Sequence, residues 1–156
     1  MSEEETASEI VSSAFVKQYY YTLNESPQTL HMFYKDSCLF NRLCPLTHVK
    51  KTVRTKEEVK DEFLAERFED FMAEIETSIG VPYSMEHGHV IVFVNGYLTR
   101  KKDNVRKKFT QTFLLAQQDN GFCVVNDIFR YKKENTQTQT CFVTENESRS
   151  RRSATC

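Results

Sequence analysis

From Ser8 onward, Val11, Ala14, Phe15, Gln18, Tyr19, Thr22 and Leu23 recur at steps of three and four, the spacing that lines side chains along one face of an α-helix. This stripe predicts a helix running to about Leu23. Ser26 before Pro27 sets an N-cap with proline at the first helical position, and Leu30, Phe33 and Tyr34 supply the buried face of a short second helix. Thr55 and Glu58 have the spacing of a capping box, in which hydroxyl and carboxylate each accept from a free backbone N–H, and Val59, Phe63 and Arg67 continue it as a third helix. Between Cys38 and Arg54 no period dominates. Pro45, Lys50 and Lys51 there predict a short strand and a loop.

After Phe68 the period falls to two: Phe71, Ala73, Ile75, Thr77 and Ile79 alternate with Met72, Glu74, Glu76 and Ser78, as in a strand wet on one face. Gly80 and Pro82 end it. His89 to Leu98 is apolar on both faces through Val90, Ile91, Val92, Phe93 and Val94, which calls for helices over one side and a second subunit over the other. Phe109, Gln111, Phe113 and Leu115 alternate in the next strand, Asp119-Asn120-Gly121 is a turn, and Phe122 to Tyr131 is the last strand. Helices first and then a meander of about four antiparallel strands predict an α+β domain with helices on one face of a curved sheet.

Composition narrows the function. A chain of 156 residues, 39% apolar with seven Tyr and twelve Phe, has enough apolar surface for one core and too few residues for two full domains. The organisation expected is a flexible N-terminus over residues 1–8, a domain over 9–134 and a disordered polar tail over 135–156, in which Arg149, Arg151 and Arg152 flank Ser150 and Ser153. A formal net charge of -1 gives no field drawing the molecule onto nucleic acid or membrane. No stretch approaches a membrane span of about 20 apolar residues. Cys38, Cys44, Cys123, Cys141 and Cys156 are an odd set at irregular spacings, which suits reduced thiols in the cytoplasm, with the nucleus a second location. Cys123 lies in an apolar run and belongs to the core. Neither His87-Gly88-His89 nor the set Cys38, Cys44 and His48 has the paired spacing of a zinc site. No Gly-rich phosphate loop exists among only four glycines, so no cofactor or metal is expected.

Four segments stand in order: Phe15-Val16-Lys17-Gln18-Tyr19-Tyr20, Leu30-His31-Met32-Phe33-Tyr34, Phe109-Thr110-Gln111-Thr112-Phe113, and Asn126-Asp127-Ile128-Phe129-Arg130-Tyr131. Together, over about Val11 to Tyr131, the chain resembles the nuclear transport factor two-like (NTF2-like) family. It is most similar to the branch formed by the N-terminal domains of Ras-GTPase-activating-protein-binding proteins, which pair a His-x-Phe-Tyr second helix with an Asn-Asp-Ile-Phe-Arg-Tyr last strand. The resemblance implies an NTF2-like cone, three N-terminal helices packed on a strongly curved antiparallel sheet, forming a homodimer through its open sheet face.

It further implies a cleft for partner peptides carrying Phe-Gly pairs, whether from granule regulators or from Phe-Gly nucleoporins. Transferred by motif position, that peptide-binding cleft comprises Val11, Phe15, Phe33 and Phe129, with Gln18, His31 and Met32 at the rim. Each Phe ring buried there would contribute about 1.5–3 kcal/mol before ordering costs. One departure bears on selectivity: the branch carries a basic residue where Met32 stands, so preference for acidic peptides falls into question. Full-length proteins of the branch carry an RNA-recognition domain and an Arg-Gly tail, neither of which follows Tyr131, so no direct nucleic-acid contact is expected. A shortened isoform is one origin of such a chain. Transport-factor relatives carry Ran-GDP on an acidic rim, whereas this sequence has Asn41 and Arg42, and Arg100, Lys101 and Lys102, at the corresponding places. The fold also houses isomerases and dehydratases, for which Asp127 and Tyr97 are the residues to recruit here. No second acid or base is spaced to join them, so no catalytic residue and no enzyme activity is expected.

Overall fold

The structure is a computed structural model, which describes residues 2–43, 50–84, 88–119 and 121–132. The first helix, α1 (Glu3–Glu25), starts well before its apolar stripe. The Ser2 hydroxyl accepts from the Glu5 N–H at 3.1 Å and the Glu5 carboxylate accepts from the Ser2 N–H at 2.9 Å, while Glu3, Glu4 and Glu5 complement the helix dipole. Residues 3–8, expected as a flexible arm, are therefore helical. The expected tail over 135–156, with Cys141 and Cys156, lies outside the described residues, as do Cys44, His48 and His87.

The second helix is not an α-helix but a 3-10 segment, Pro27–Phe33. Ser26 does not cap it with its side chain. Its carbonyl instead accepts from both the N–H (3.0 Å) and the hydroxyl (2.9 Å) of Thr29, which tightens the turn. The Cys38 to Arg54 region holds most of a hairpin, β1 (Tyr34–Leu43) and β2 (Lys50–Thr55). Thr55 then caps α2 (Lys56–Glu66), its hydroxyl accepting from the Glu58 N–H at 3.1 Å. Arg67, at a left-handed φ of 55°, ends that helix. The chain continues through β3 (Phe71–Ser84), β4 (His89–Arg100), β5 (Val105–Gln118) and β6 (Gly121–Tyr131).

These strands make one sheet in the order β2-β1-β6-β5-β4-β3. It has six strands, not about four, and it is mixed, not antiparallel, because β1 runs parallel to β6. A parallel neighbour so distant in sequence leaves no turn signature from which to infer it. The α+β arrangement, three helices against a curved sheet, is otherwise as expected.

Inside the curve, Phe109, Gln111, Phe113 and Leu115 of β5 meet Val90, Val92, Val94 and Leu98 of β4 and the stripe Phe15, Tyr19, Tyr20 and Leu23 of α1, all buried. Cys123 is buried as expected. Ser8 and Ser12, on the same helix face, donate their hydroxyls back to the carbonyls of Glu4 (2.8 Å) and Glu9 (3.1 Å), so that α1 can lie directly on β3. A Cβ at Gly80 would stand 2.2 Å from the Ser12 hydroxyl oxygen. The opposite sheet face carries Ile79 paired with Phe93 and Val81 paired with Ile91. Phe93 is 44% exposed and Ile79 61%, so β4 is apolar on both faces, with only the inner one covered.

Candidate peptide-binding site

Two structures flank α1: an open groove at its N-terminal half and a closed polar network at its C-terminal half. The groove, about 240 Å³, is lined by Ser8 and Val11 of α1, Pro82 of β3, Val90 of β4, Gln117 of β5 and Phe122 of β6, among others. One turn further along, the Phe15 ring meets Phe33 edge to face, with centroids 5.9 Å apart and planes at 86°, and meets Phe113 in the same manner at 4.8 Å. Phe15 is 7% exposed, whereas Val11 and Phe33 are only partly buried against the core. Gln18 projects from the exposed side of α1, and Met32 is 62% exposed on the 3-10 segment.

His31 points away from this groove. It lines a second and larger one, about 550 Å³, with Pro27, Lys60, Phe63, Leu64 and Lys101 among its walls. Partial burial, then the nearby charges of Lys60 and Lys56, hold its pKa below the ordinary histidine value.

Phe129 does not join Phe15 and Phe33. Its ring stacks on Phe109 at 5.0 Å, abuts Tyr131 at 5.1 Å and lies under the Arg42 guanidinium, 5.1 Å from the ring centre. The register places Phe122 opposite Gln117 and Phe129 opposite Gln111, at opposite ends of β6 and roughly 23 Å of strand apart at about 3.3 Å per residue. The β6 residue at the groove is thus Phe122. Its position in an apolar run just after the Asp-Asn-Gly turn was the signal available for it.

At the other end of α1 lies Asp127, fully buried. One carboxylate oxygen accepts from Arg42 Nη1 at 3.1 Å and Gln111 Nε2 at 2.9 Å, the other from the Tyr34 hydroxyl and from Arg42 Nη2 at 3.3 Å. The hydroxyls of Tyr19 and Tyr34 share a hydrogen bond of 2.6 Å, and Tyr20 donates to Gln111 Oε1 at 2.6 Å. Burial, then the charge of Asp127, raises the pKa of Tyr34 well above the ordinary tyrosine value. For Arg42, burial pulls the pKa down, but the attraction of Asp127 outweighs it and the net direction is upward. Every carboxylate oxygen is engaged and no face of the group is open to a substrate, so the set is a structural clamp joining α1, β1, β5 and β6. Tyr97, the other residue to recruit for catalysis, lies on the outer sheet face, donating to Glu76 at 3.2 Å beneath the Arg106 guanidinium. It and Asp127 are separated by the sheet.

Comparison with known proteins follows the same span. The nuclear transport factor 2 (NTF2) domain family matches residues 11–131. A protein of Arabidopsis thaliana called nuclear transport factor 2 is 48% identical over 126 residues, 81% of this chain and 26% of its own length. A G3BP-like protein of Schizosaccharomyces pombe is 32% identical over 130 residues, 80% of this chain and 28% of its own. The chain thus spans about a quarter of the length of these curated relatives. Among solved structures, nuclear transport factor 2 of Cryptosporidium parvum superposes with a TM-score of 0.70 at 22% identity, covering 85% of this chain and all of that one. Yeast Bre5, solved in complex with the deubiquitinase Ubp3, superposes at 0.66 and 20% identity, covering 79% and 95%. No described helix is long and apolar enough to cross a membrane. With the sheet, the inner network and all of the helices except residues 3–10 of α1 inside the matched span, the chain belongs to the nuclear transport factor 2 (NTF2) domain family.

Proposed function

We propose that this chain is a non-catalytic, dimeric protein-binding module that captures short Phe-Gly-containing peptides of partner proteins in ribonucleoprotein or stress-granule assembly. The observation that carries this reading is the contrast at α1: its C-terminal half packs into a network in which the Asp127 carboxylate and the hydroxyls of Tyr19, Tyr20 and Tyr34 are paired, while its N-terminal half borders a groove with apolar walls at Val11, Val90 and Phe122. A Phe ring laid there would lose its hydration and, beside the edge-to-face pair Phe15 and Phe33, would find the geometry aromatic rings favour. Gln18, exposed on the helix, has free donors and acceptors for a peptide backbone. The module works in the cytoplasm, with the nucleus as a second location. A G3BP-like relative and a fold neighbour solved with a protein partner are consistent with protein binding as the activity. The uncovered outer face around Ile79, Val81 and Phe93 supports a homodimer.

Nucleocytoplasmic transport is the second reading, favoured by the Arabidopsis relative. It shares the Phe-Gly chemistry and differs in adding Ran-GDP. Against a Ran site, Arg42 is turned inward onto Asp127 and Lys101 adds exposed positive charge at the rim. Titration of a fluorescent Phe-Gly peptide into wild type, Phe33→Ala and Phe122→Ala tests the capture site, with circular dichroism confirming folding. Saturable binding lost in both variants is expected. A folded wild type that binds no such peptide, while binding Ran-GDP, would overturn capture in favour of transport.

A further inference from the structure

The groove beside Val11 and Phe122 is graded along its length. Its helical wall is the stripe Glu4, Ala7, Ser8 and Val11, at steps of three and four that stack side chains on one face of α1. At the Val11 end the stripe is apolar and runs on to the buried Phe15. At the other end stands Glu4, the one carboxylate among the described residues that line the groove. Glu4 is exposed, and among the described residues it makes no ion pair. Glu5, in contrast, is engaged by the Ser2 N–H. His89, the other titratable residue of the lining, stacks on Tyr83. Glu3 and Glu5 in the same turn add to the negative field, and three carboxylates outweigh the half-positive charge of a helix N-terminus. Glu4 and Val11 lie about 10 Å apart at roughly 1.5 Å per residue, a span that about three residues of extended peptide cover.

We propose that the peptide captured here is basic: it carries a Lys or Arg about three residues from its Phe, and Glu4 selects for that cation while the ring lies at Val11 and Phe122. This rests on peptide capture at the groove and names the class of peptide it takes. An exposed ion pair contributes modestly, so Glu4 ranks one Phe-Gly peptide against another, and burial of the ring supplies the affinity they share.

The test titrates fluorescent Phe-Gly peptides with Arg, Gln or Glu three residues before or after the Phe into wild type, Glu4→Lys and Glu3→Lys, with circular dichroism confirming folding. In one of the two orientations, wild type is expected to bind the Arg peptide about fivefold more tightly than the Glu peptide, with the Gln peptide between them. Added salt should narrow that gap. Glu4→Lys should invert the order. Glu3→Lys, which changes the net charge equally in the same turn but does not line the groove, should keep it. Equal affinities for all three peptides in both orientations, or an order that Glu4→Lys leaves intact, would overturn the selectivity and leave capture standing. A folded wild type that binds none of the peptides would overturn both. Two further outcomes assign the groove to another occupant and sink the proposal: binding that appears only in Phe142→Ala, which points to the chain's own C-terminal segment, and dissociation of a dimer by the peptide in light scattering, which points to a second copy.

Discussion

The two halves of α1 use similar side chains to opposite ends. Around its C-terminal half, Tyr19, Tyr20 and Tyr34 surround Asp127, and each hydroxyl has a partner. Around its N-terminal half, Val11 and Phe122 border a groove that no described residue fills, and on the 3-10 segment Phe33 is only partly covered and Met32 exposed. An aromatic-rich region is therefore not informative by composition. What separates core from site is whether the contacts close on themselves, and a region left incomplete by the fold is the one available to a partner.

The contrast is broken most severely at the closed end. Asp127→Ala should leave the Arg42 guanidinium and the Gln111 amide buried without their acceptor, costing about 3–5 kcal/mol in urea unfolding. Next is Phe129→Ala, which removes the ring between Phe109 and Tyr131 and should cost about 2–4 kcal/mol. Its peptide affinity should match wild type, whereas Phe122→Ala should lose affinity with a smaller change in stability. If Phe129→Ala abolished binding in a folded protein, the assignment of the two ends would be reversed. Gly80→Ala would press a methyl into Ser12 and the Ser8 carbonyl and should cost about 1–3 kcal/mol. Adding Ser12→Gly should recover much of that loss, since the pair is in direct contact.

The smallest effect falls at the entry to α2. Glu58 accepts from the Arg54 N–H at 3.2 Å and the Thr55 hydroxyl at 3.0 Å, and these bonds, the backbone one first, lower its pKa below the ordinary value. A carboxyl whose folded pKa is depressed stabilises the fold above the unfolded value, near pH 4.3, and loses that contribution as pH falls through the folded one. Wild type should thus melt slightly above Glu58→Gln at pH 7, and the difference should shrink as pH falls below the unfolded value and through the folded one.

Much of this was legible in the chain because local patterns and tertiary contacts agreed. The α1 stripe, the Thr55 cap and the two-faced β4 strand follow from spacing and chemistry alone. The start of α1 was not, because an acidic segment without apolar residues gives no stripe; only the Ser2 and Glu5 pair marks it. Nor was β2, an edge strand of Lys50, Lys51, Thr52, Val53 and Arg54 in which Val53 alone is buried. At the candidate site, the rings of Phe15 and Phe33 are in edge-to-face contact. Motif position pointed to Phe129, and no period along a strand says which of its ends meets a helix.

The parallel pairing of β1 with β6 also governs the order in which the molecule can assemble. Tyr34 pairs with Val124 and Arg42 with Phe129, so the centre of the sheet cannot close until nearly the whole domain has left the ribosome. Until then β1 has only its weak hairpin partner, and Arg42 waits without Asp127. Nascent chains released before Phe122 should expose that strand to chaperones, and refolding should be limited by this long-range closure, not by the helices.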